Sequence, residues 1–569
     1  MTLKIIFAEL IKPLVDIEIN EIIKLIEVPP NEEMGDFAFP CFMLSKQLRK
    51  SPNVVASELA GKIQKNKYFS EIKALGPYLN AFVVPAEIAE QVLTPIVKLG
   101  SNYPEIKAGN GKTIVIDFSS PNIAKPLGIH HIRTTMIGNS IAKIHQKMGF
   151  RVVRLNYLGD WGTQFGKLIS AYKMWGHEIK ELSIEEINKL YVRFSALAKE
   201  KPELEEEARS WFKKLEDGNQ EAVALWQKFK EISIVEFEKI YKRLNVQFDE
   251  YSGESVHIES MKKVISECKN KNIAEVSEGA LVVKSNDEKE PPCLLLKSDG
   301  ATTYQLRDIA AIYDRYQKFK FDKMFYVVGQ SQALHLKQVF EVAAKLDWKY
   351  SQGCTHIPFG LLRFKDAKFS TREGNVILLE EVLDTAYEKV KEIILERGVQ
   401  SNVSEESMQK IAVGAIVFTD LSTKRSKNVE FIWEESLNFD GDTGPYLQYS
   451  VARCKSIVRK SNVTLNDKVN YTLLSTQFEK LLILKLEQFE GIIAFTAEQC
   501  EPSTLANYLL VLAKLSNRMI HSGKENMEYR VLQEDNLALQ TARTALIFAT
   551  AKVLEEGLRL LGIESPSVM

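Results

Sequence analysis

The pattern of apolar and polar positions changes its period along the chain. Residues 1–107 mix a helical beginning with short apolar segments and turn signals such as Pro29-Pro30 and Gly76-Pro77, which predicts a small α+β domain. Residues 113–118 then form an apolar run typical of a buried strand, and a stripe of isoleucines at helical spacing follows. A second strand is predicted at 152–155. This order predicts a βαβ unit with a parallel sheet.

Amphipathic helical segments interrupt this α/β alternation before it resumes. They are predicted between about 167 and 250, and a hairpin is predicted at 278–296. Helices near 305–318 and 334–346 and strands near 325–328 and 356–362 restore the alternation. From about 405 the period is almost wholly helical, with broad stripes at 473–489 and 545–561. We therefore predict an α+β domain (1–107), an α/β domain (108–400, with an insertion at about 167–296) and a helical domain (401–569).

Charge and cysteine content narrow the classes of protein that fit this pattern. The 569 residues carry 74 Lys and Arg against 75 Asp and Glu, so any nucleic acid must be bound by local patches. The six cysteines form no CxxC pair, which argues against a zinc knuckle or a disulfide framework and favours a reducing compartment. Because no uninterrupted run of 18 apolar residues occurs, we expect neither a signal peptide nor a membrane span.

The turn between the first parallel strand and its helix carries the first candidate chemistry. It begins at Asp117 and includes Lys125, His130 and His131 at the predicted start of the helix. The N-terminus of a helix that follows a parallel strand often binds phosphate, because its free N–H groups and the positive end of the helix dipole face the ligand. The lysine and histidines can stabilise charge on a reacting phosphate. However, a histidine pair at the start of a helix is a capping or packing feature about as often as it is a catalytic one.

A set of motifs then makes a family resemblance specific. SSPNIAKP at 119–126, a following HxxR turn and LNYLGDWGTQFG at 155–166 resemble the arginyl-tRNA synthetases. Five further motifs carry the likeness over nearly the whole chain: MGDFAFP (34–40), GPYLN (76–80), SDGATTYQLRDIAA (298–311), FSTREGN (369–375) and GDTGPYLQYSVAR (441–453). The resemblance implies an N-terminal α+β tRNA-binding domain, a class I Rossmann-like catalytic domain with a helical insertion, and a C-terminal all-α anticodon-binding domain.

The same resemblance implies a reaction and its partners. The chain is expected to use ATP with Mg²⁺ to activate L-arginine as arginyl-adenylate, and then to load arginine onto the 3′-terminal adenosine of tRNA(Arg). Bound tRNA is expected to be required for the activation step. A cytoplasmic monomer without a membrane partner or a metal site of its own is expected.

A carboxylate with an aromatic neighbour is what an arginine pocket requires, because guanidinium is a planar, permanently charged set of donors. Asp308 and Tyr304 are four residues apart on a predicted helix and share a face, and Gln332 follows the next strand. The resemblance adds Asp117 and Asn122 as contacts to the α-amino and carboxylate groups, although relatives more often have Glu at the first position. The alternative for Asp308 is a salt bridge with an arginine of its own helix, Arg307 or Arg315.

Both class I signatures depart from their usual form. The first aligns as Gly128-Ile129-His130-His131, with His130 in place of a glycine, and the second as 368–372 (KFSTR), with Thr371 in place of its second lysine. The resemblance implies that Lys125 compensates for that lysine. The implied catalytic residues are Lys125, His130, His131 and Lys368, and the implied ATP contacts are Gly128, His131, His335, Ser370 and Arg372.

Candidate tRNA contacts lie in the two outer domains, where aromatic and basic groups can stack on and bond to unpaired bases. Tyr446, Tyr449 and Arg453 have helical spacing and match the anticodon side of the family, and Tyr78 and Asn80 match the N-terminal contacts. The alternative is that each tyrosine caps the core of the helical domain. Two other functions stay open at this point: a non-catalytic RNA-binding relative, weakly favoured by the altered first signature, and a class I synthetase for another amino acid, which would lack the acidic pocket.

Overall fold

The computed structural model describes residues 3–64, 66–365, 377–398, 403–465, 469–533, 535–566 and 569. The fold divides into two compact units. One comprises Met1–Pro104, Ser450–Ile492 and Leu509–Glu556, and the other comprises Glu105–Tyr449, Ile493–Tyr508 and Gly557–Met569.

The N-terminal segment has the predicted α+β character. Its elements are α1 Leu3–Ile11, α2 Ile19–Leu25, β1 Phe37–Pro40, α3 Phe42–Leu48, α4 Pro52–Lys62, β2 Phe69–Leu75, β3 Tyr78–Val83 and α5 Pro85–Leu99. The strands form an antiparallel sheet in the order β1-β3-β2. Gly76, at φ 60°, adopts the left-handed conformation needed in the tight turn between β2 and β3.

The segment from 105 to 449 contains a five-stranded parallel sheet. Its elements are β4 Thr113–Asp117, α6 His131–Lys147, β5 Arg151–Leu158, α7 Thr163–Trp175, α8 Ile184–Glu200, α9 Glu203–Glu216, α10 Gln220–Arg243, β6 Glu250–Gly253, α11 Ile258–Asn270, β7 Ala274–Ser277, β8 Ala280–Val283, β9 Cys293–Leu296, α12 Tyr304–Phe319, β10 Lys323–Gly329, α13 Ala333–Lys345, β11 Cys354–Phe359, β12 Leu362–Phe364, α14 Leu379–Glu396, α15 Glu405–Leu421, β13 Val429–Phe431 and α16 Trp433–Ser436.

The order of strands in this sheet locates the ligand crevice. The sheet runs β11-β10-β4-β5-β6, with every neighbouring pair parallel. From β4 the chain proceeds to β5 and β6 on one side, and later fills the other side with β10 and β11. A topological switch point therefore lies between the carboxyl ends of β4 and β10, which is where open α/β sheets bind their ligands.

Two elements of this segment differ from the sequence prediction. The predicted helical insertion contains β6, which returns to the parallel sheet as its edge strand beside β5. The strand escaped prediction because its four residues, EYSG, contain no apolar run. The predicted hairpin at 278–296 is a three-stranded antiparallel sheet, β7-β8-β9.

The C-terminal segment is helical, as predicted. Its helices are α17 Gly444–Ser461, α18 Gln477–Glu487, α19 Phe489–Gln499, α20 Pro502–Glu525 and α21 Leu537–Leu560. The apolar stripe predicted at 473–489 is broken, because α18 ends at Glu487 and α19 begins at Phe489. Helix α21 is long and apolar enough to span a membrane by length and composition, but 61% of its most apolar window is buried inside the fold, as in a core helix of a globular domain.

Candidate active site

The loop after β4 is held in a conformation that is unusual for L-residues. Ser119, Ser120 and Ala124 have φ values of 72°, 51° and 65°. Three backbone amides of the loop donate to side chains of surrounding elements: Ser119 N to Thr134 Oγ1 at 3.1 Å, Ser120 N to Asn156 Oδ1 at 3.1 Å and Ala124 N to Ser233 Oγ at 2.8 Å. Strained backbone of this kind persists where neighbouring structure fixes it, and it is concentrated at functional sites.

The histidine pair lies at the start of α6, as predicted. His131 Nδ1 is 3.1 Å from both the amide nitrogen and the carbonyl oxygen of Gly128, and the His130 and His131 rings are 4.0 Å apart. Burial, followed by the neighbouring His130, lowers the pKa of His131 to about 3. Burial also lowers the pKa of the more exposed His130. His131 is therefore neutral near pH 7, so it can act on a phosphate as a hydrogen-bond donor rather than as a cation.

Lys125 supplies the positive charge of this turn. It is half-buried, and its ammonium lies 5.3 Å from the centre of the Tyr191 ring, which belongs to α8. The inserted helices therefore contact the loop that carries the candidate lysine.

The second candidate cluster lies at the start of α12 and after β10. Asp308 Oδ2 is 2.6 Å from His335 Nε2, so the structure joins a residue assigned to the arginine pocket with one assigned to ATP. Tyr304 is the first residue of α12 and is 67% exposed, and Gln332 is exposed at the end of the short helix Gln330–Gln332. Both side chains are accessible to a ligand.

The alternative assignment of Asp308 to a salt bridge within its own helix is wrong. Arg307 Nη1 contacts Glu254 Oε2 at 2.7 Å, and Arg315 Nη2 contacts Asp117 Oδ2 at 2.8 Å. Both arginines are therefore paired with carboxylates from other elements, and within the described ranges the ion-pair partner of Asp308 is His335.

Glu254 is a candidate pocket residue that the sequence analysis missed. Burial raises its pKa to about 7, Arg307 opposes this shift, and the nearby carboxylates of Asp308 and Asp160 add to it. Its position directly after β6 brings it to the carboxyl edge of the sheet. The Gly253-Glu254-Ser255 sequence offered one signal, a glycine beside an acid, but the strand before it could not be recognised.

Asp160 holds the segment that carries Glu254. Its buried carboxylate accepts hydrogen bonds from Ser255 N at 2.9 Å, Ser255 Oγ at 2.8 Å and Lys230 Nζ at 2.7 Å. A Cβ atom on Gly253 would lie 2.2 Å from Asp160 Oδ2, so only glycine fits beside this carboxylate. The adjacent Trp161 packs against the Phe212 and Trp226 rings, which is a structural role.

Asp117 lies at the end of β4 and is buried. Its carboxylate accepts a hydrogen bond from Ser120 Oγ at 2.9 Å in addition to the Arg315 contact. Burial raises its pKa, and the Arg315 guanidinium opposes that shift. Asn122 is exposed and forms a β-bridge with Gly159, where a Cβ atom would lie 1.9 Å from Asn122 Oδ1.

The charges of this cluster match those of free arginine. Three carboxylates (Asp117, Asp308 and Glu254) face two guanidinium groups (Arg307 and Arg315). The five residues carry at most one surplus negative charge, which requires Glu254, with its pKa of about 7, to be ionised when the ligand binds. Arginine carries two positive charges and one negative charge near pH 7. The buried hydroxyl of Tyr157 has no hydrogen-bond partner within the described ranges, and it interacts electrostatically with Asp308, Arg315 and Glu254, so it can bond to a ligand there.

The second signature, with Lys368, Ser370, Thr371 and Arg372, lies outside the described residues. The segment that follows it is attached to the first signature. Ile129 N donates to Ile377 O at 2.9 Å, and Leu379 N donates to Leu127 O at 2.9 Å. Across the part of the chain that the structure describes, no three His, Cys, Asp or Glu side chains are grouped as a metal site.

Family models match three consecutive regions of the chain. Their descriptions are "Arginyl tRNA synthetase N terminal domain" for 1–83, "tRNA synthetases class I (R), catalytic domain" for 93–433 and "DALR anticodon binding domain" for 447–569. An arginine–tRNA ligase of Clostridium perfringens is 45% identical over 99% of both chains. The chain belongs to the arginyl-tRNA synthetase family.

Other relatives and solved structures agree with this membership. An arginine–tRNA ligase of Bacillus cereus is 44% identical over 97% of this chain and 96% of its own. The Thermus thermophilus arginyl-tRNA synthetase structure has a TM-score of 0.80 at 24% identity, covering 100% of this chain and 99% of that one. The Plasmodium falciparum structure has a TM-score of 0.79 at 24% identity, covering 96% and 94%. The two structures show that the fold is that of arginyl-tRNA synthetases.

Within the synthetase, the candidate tRNA contacts differ in accessibility. Tyr78 is half-buried and packs edge-on against Phe42, with ring centres 5.6 Å apart. Asn80 is 3% exposed and its amide donates to Met34 O. Its side chain therefore stabilises the fold and is not accessible to RNA at the surface. Tyr449 is 39% exposed.

The remaining two candidates lie on the same helix, α17. Tyr446 is half-buried, and Arg453 Nη1 donates to Asn517 Oδ1 at 3.1 Å. Tyr449 therefore presents more of its side chain to a bound RNA than Tyr446 does.

Proposed function

We propose that this chain is an arginine–tRNA ligase that activates L-arginine with Mg·ATP and transfers it to the 3′-terminal adenosine of tRNA(Arg). The observation that carries the proposal is the site at the carboxyl edge of the sheet, where a surplus of carboxylate charge lies beside a helix start suited to phosphate. Membership in the family, over the whole length of the chain, supports the same reaction.

In the proposed ground state, Asp308 and Glu254 bind the guanidinium of arginine while Tyr304 and Gln332 line the pocket. Asp117 accepts the α-ammonium group and Asn122 orients the carboxylate. A pair of carboxylates suits a guanidinium better than an ammonium, because the planar fork presents donors to both. Burial is the main cause of the raised pKa of Glu254, and the Asp308 carboxylate adds to it, so the two carboxylates lie close enough to act together on one ligand.

In the activation step, an oxygen of the arginine carboxylate attacks the α-phosphorus of ATP. A new P–O bond forms as the bond to the departing pyrophosphate breaks. Lys125 neutralises the charge that moves onto the phosphates, and neutral His131 donates a hydrogen bond to them. Lys368, Ser370, Arg372, Gly128 and His130 complete the nucleotide site in this proposal, and His335 orients Asp308 as well as facing ATP. Mg²⁺ enters with the nucleotide as part of the substrate.

In the transfer step, a ribose hydroxyl of the terminal adenosine attacks the arginyl carbonyl carbon and AMP leaves. Tyr78, Tyr446, Tyr449 and Arg453 are proposed to contact the tRNA. A cavity of about 430 Å³ in the C-terminal helical region adds a site for an unpaired base, with Ile457 and Ile520 among its apolar lining and Lys460, Lys524 and Arg530 supplying positive charge. The enzyme is proposed to act as a cytoplasmic monomer.

Amino-acid-dependent exchange of pyrophosphate into ATP tests this function. Each of the standard amino acids is assayed with and without tRNA(Arg), and exchange is expected only with arginine and only in the presence of tRNA. Exchange with another amino acid would identify a different synthetase, and no exchange with any would identify a non-catalytic relative. Exchange with arginine at full rate without tRNA would contradict the proposed tRNA requirement.

A further inference from the structure

Arg315 is a buried arginine directly beneath the candidate α-amino site. It belongs to α12, and its side chain is 4% exposed. The guanidinium lies 4.5 Å from the centre of the Tyr157 ring on β5 and 5.4 Å from that of the Tyr326 ring on β10. Its Nη2 atom is 2.8 Å from Asp117 Oδ2 on β4. Three strands and a helix therefore meet at this one side chain.

Stability alone is a weak reason to bury such a pair. Desolvating two charges costs about as much as their attraction returns, so apolar replacements of buried pairs are often neutral or stabilising. The pair occupies the switch point of the sheet, at the carboxyl end of β4, where a ligand rather than the core is the natural neighbour. Its position therefore indicates a task in ligand binding.

The contacts of Asp117 define what Arg315 does there. Ser120 Oγ donates to Oδ1 and Arg315 contacts Oδ2, so the two partners hold opposite ends of the carboxylate. The other charged or titratable groups that interact with it are Asp308 from α12, Tyr157 from β5 and Tyr326 from β10. A carboxylate has about four lone-pair directions, so two oxygens held in this way still accept a third, cationic donor.

We propose that Arg315 is a positioning residue that keeps Asp117 ionised and oriented toward the α-ammonium group of arginine. The inference rests on the proposed function, because it requires Asp117 to bind that ammonium. Arg315 itself does not contact the substrate. Without it, burial together with the Asp308 charge would favour the protonated form of Asp117.

Comparing two ligands distinguishes a loss of Asp117 positioning from general damage to the binding site. Arginine and its desamino analogue, 5-guanidinopentanoic acid, share the guanidinium and the carboxylate, but only arginine has an α-ammonium group. In Arg315→Met, the KM for arginine in tRNA-dependent exchange is expected to rise on the order of 10–100-fold, as for loss of a charged contact. The inhibition constant of the analogue is expected to stay within about twofold. An equal loss for both ligands would overturn the proposal.

The pH profile provides a second, independent measurement. In Arg315→Met, the loss of arginine affinity is expected to be larger at pH 6.5 than at pH 8.5, because the Asp117 carboxyl becomes protonated as the pH falls. The parent enzyme is expected to show a smaller change over the same range. A loss that is constant with pH would overturn the role in ionisation.

A double-mutant cycle with Asp117→Asn protects the test against misfolding, because the double variant leaves no buried charge unpaired. The KM for arginine in Asp117→Asn/Arg315→Met is expected to be no higher than that of Asp117→Asn alone, in which Arg315 stays buried without its counter-charge. Additive losses would overturn the proposal. Arg315→Lys, which retains the charge, is expected to fall between the parent and Arg315→Met. If Asp117→Asn alone had parental arginine kinetics, the role of Asp117 in the proposed function would fail instead.

Discussion

Asp308 is the residue that we propose as the main partner of the arginine guanidinium. Its carboxylate lies 2.6 Å from His335 and close to Glu254. Asp308→Asn replaces an acceptor by a group that presents an NH₂ donor to a ligand made of donors. The expected result is a loss of about 2–5 kcal/mol in kcat/KM for arginine, measured in tRNA-dependent exchange. The affinity for tRNA in filter binding is expected to be unchanged.

The matched control is Asp347→Asn, the same chemical change at an exposed aspartate paired with Lys271. It is expected to have parental kinetics, because exposed ion pairs contribute little. Parental arginine kinetics in Asp308→Asn would rule out this residue as the guanidinium partner.

His131 is expected to act in one protonation state throughout the working pH range. Since burial and His130 lower its pKa to about 3, it stays neutral from pH 6 to 8.5. His131→Asn is expected to slow the activation step about 100-fold in single-turnover assays, and the ratio of parental to variant rates should be the same at each pH. A ratio that changed tenfold around pH 6.5 would show that the imidazolium form takes part.

At the scale of the element, α6 carries a buried histidine that makes the fold sensitive to acid. His145 hydrogen-bonds to Ile141 O at 2.8 Å and packs against the Phe325 ring, and burial lowers its pKa to about 4. The unfolded chain binds this proton near pH 6.5, so its contribution to stability is present above pH 6.5 and is lost as the pH falls toward 4.

The slope is at most about 1.4 kcal/mol per pH unit for one such histidine. His145→Gln removes the titration, so the fall in the urea midpoint between pH 7.5 and pH 5 is expected to be smaller in this variant than in the parent. An unchanged pH dependence would mean that other groups account for the acid sensitivity.

The elements around the site were predictable where their apolar period was long or their run of apolar residues continuous. The TIVID segment forms β4 and the isoleucine stripe lies on α6, as predicted. These two predictions were enough to place Asp117, Lys125 and His131 at one edge of the sheet. Strand β6 was not predictable, since EYSG is too short and too polar to show a period. Glu254 was missed as a consequence, although it is a charged residue at the same edge.

Contacts between side chains that are distant in sequence could not be predicted from residue spacing either. Asp308 and His335 were each singled out from the sequence, but for different ligands, and only the adjacency of α12 and α13 brings them to 2.6 Å. Similarly, Arg315 lies two turns after Asp308 on α12, which suggested a salt bridge within the helix. In the structure Arg315 instead forms its ion pair with Asp117 at the end of β4.

At the scale of the whole molecule, one buried ion pair joins parts of the chain that are far apart in sequence. Arg133 Nε lies 2.6 Å from Asp420 Oδ1, and both side chains are 1% exposed. Arg133 also donates to the carbonyl oxygens of Lys427 and Arg425. The first turn of α6 is thereby attached to the segment that leads from α15 to β13.

Asp420→Asn leaves the Arg133 charge buried without its counter-charge. The expected cost is about 3–5 kcal/mol in the free energy of unfolding, measured by urea denaturation. The control is Asp217→Asn, the same change in the exposed pair with Lys213 at 2.9 Å, for which about 0–1 kcal/mol is expected. Equal effects in the two variants would show that the buried pair has no special importance.

The surplus carboxylate charge around Asp308 and Glu254 also bears on the accuracy of translation. Citrulline has nearly the shape of arginine but a neutral ureido group, so it would leave Asp308 without a cationic ligand, while Glu254 would keep only its pairing with Arg307. Sites built around buried polar groups reject a ligand that lacks the complementary group by about 10⁴-fold in a single step. Synthetases that must tell apart side chains differing by one methylene need a second, hydrolytic correction. Here the chemical difference between correct and incorrect substrate is a full charge, so selection can be completed at binding, and misacylation with citrulline at 1 mM in competition with arginine should be undetectable.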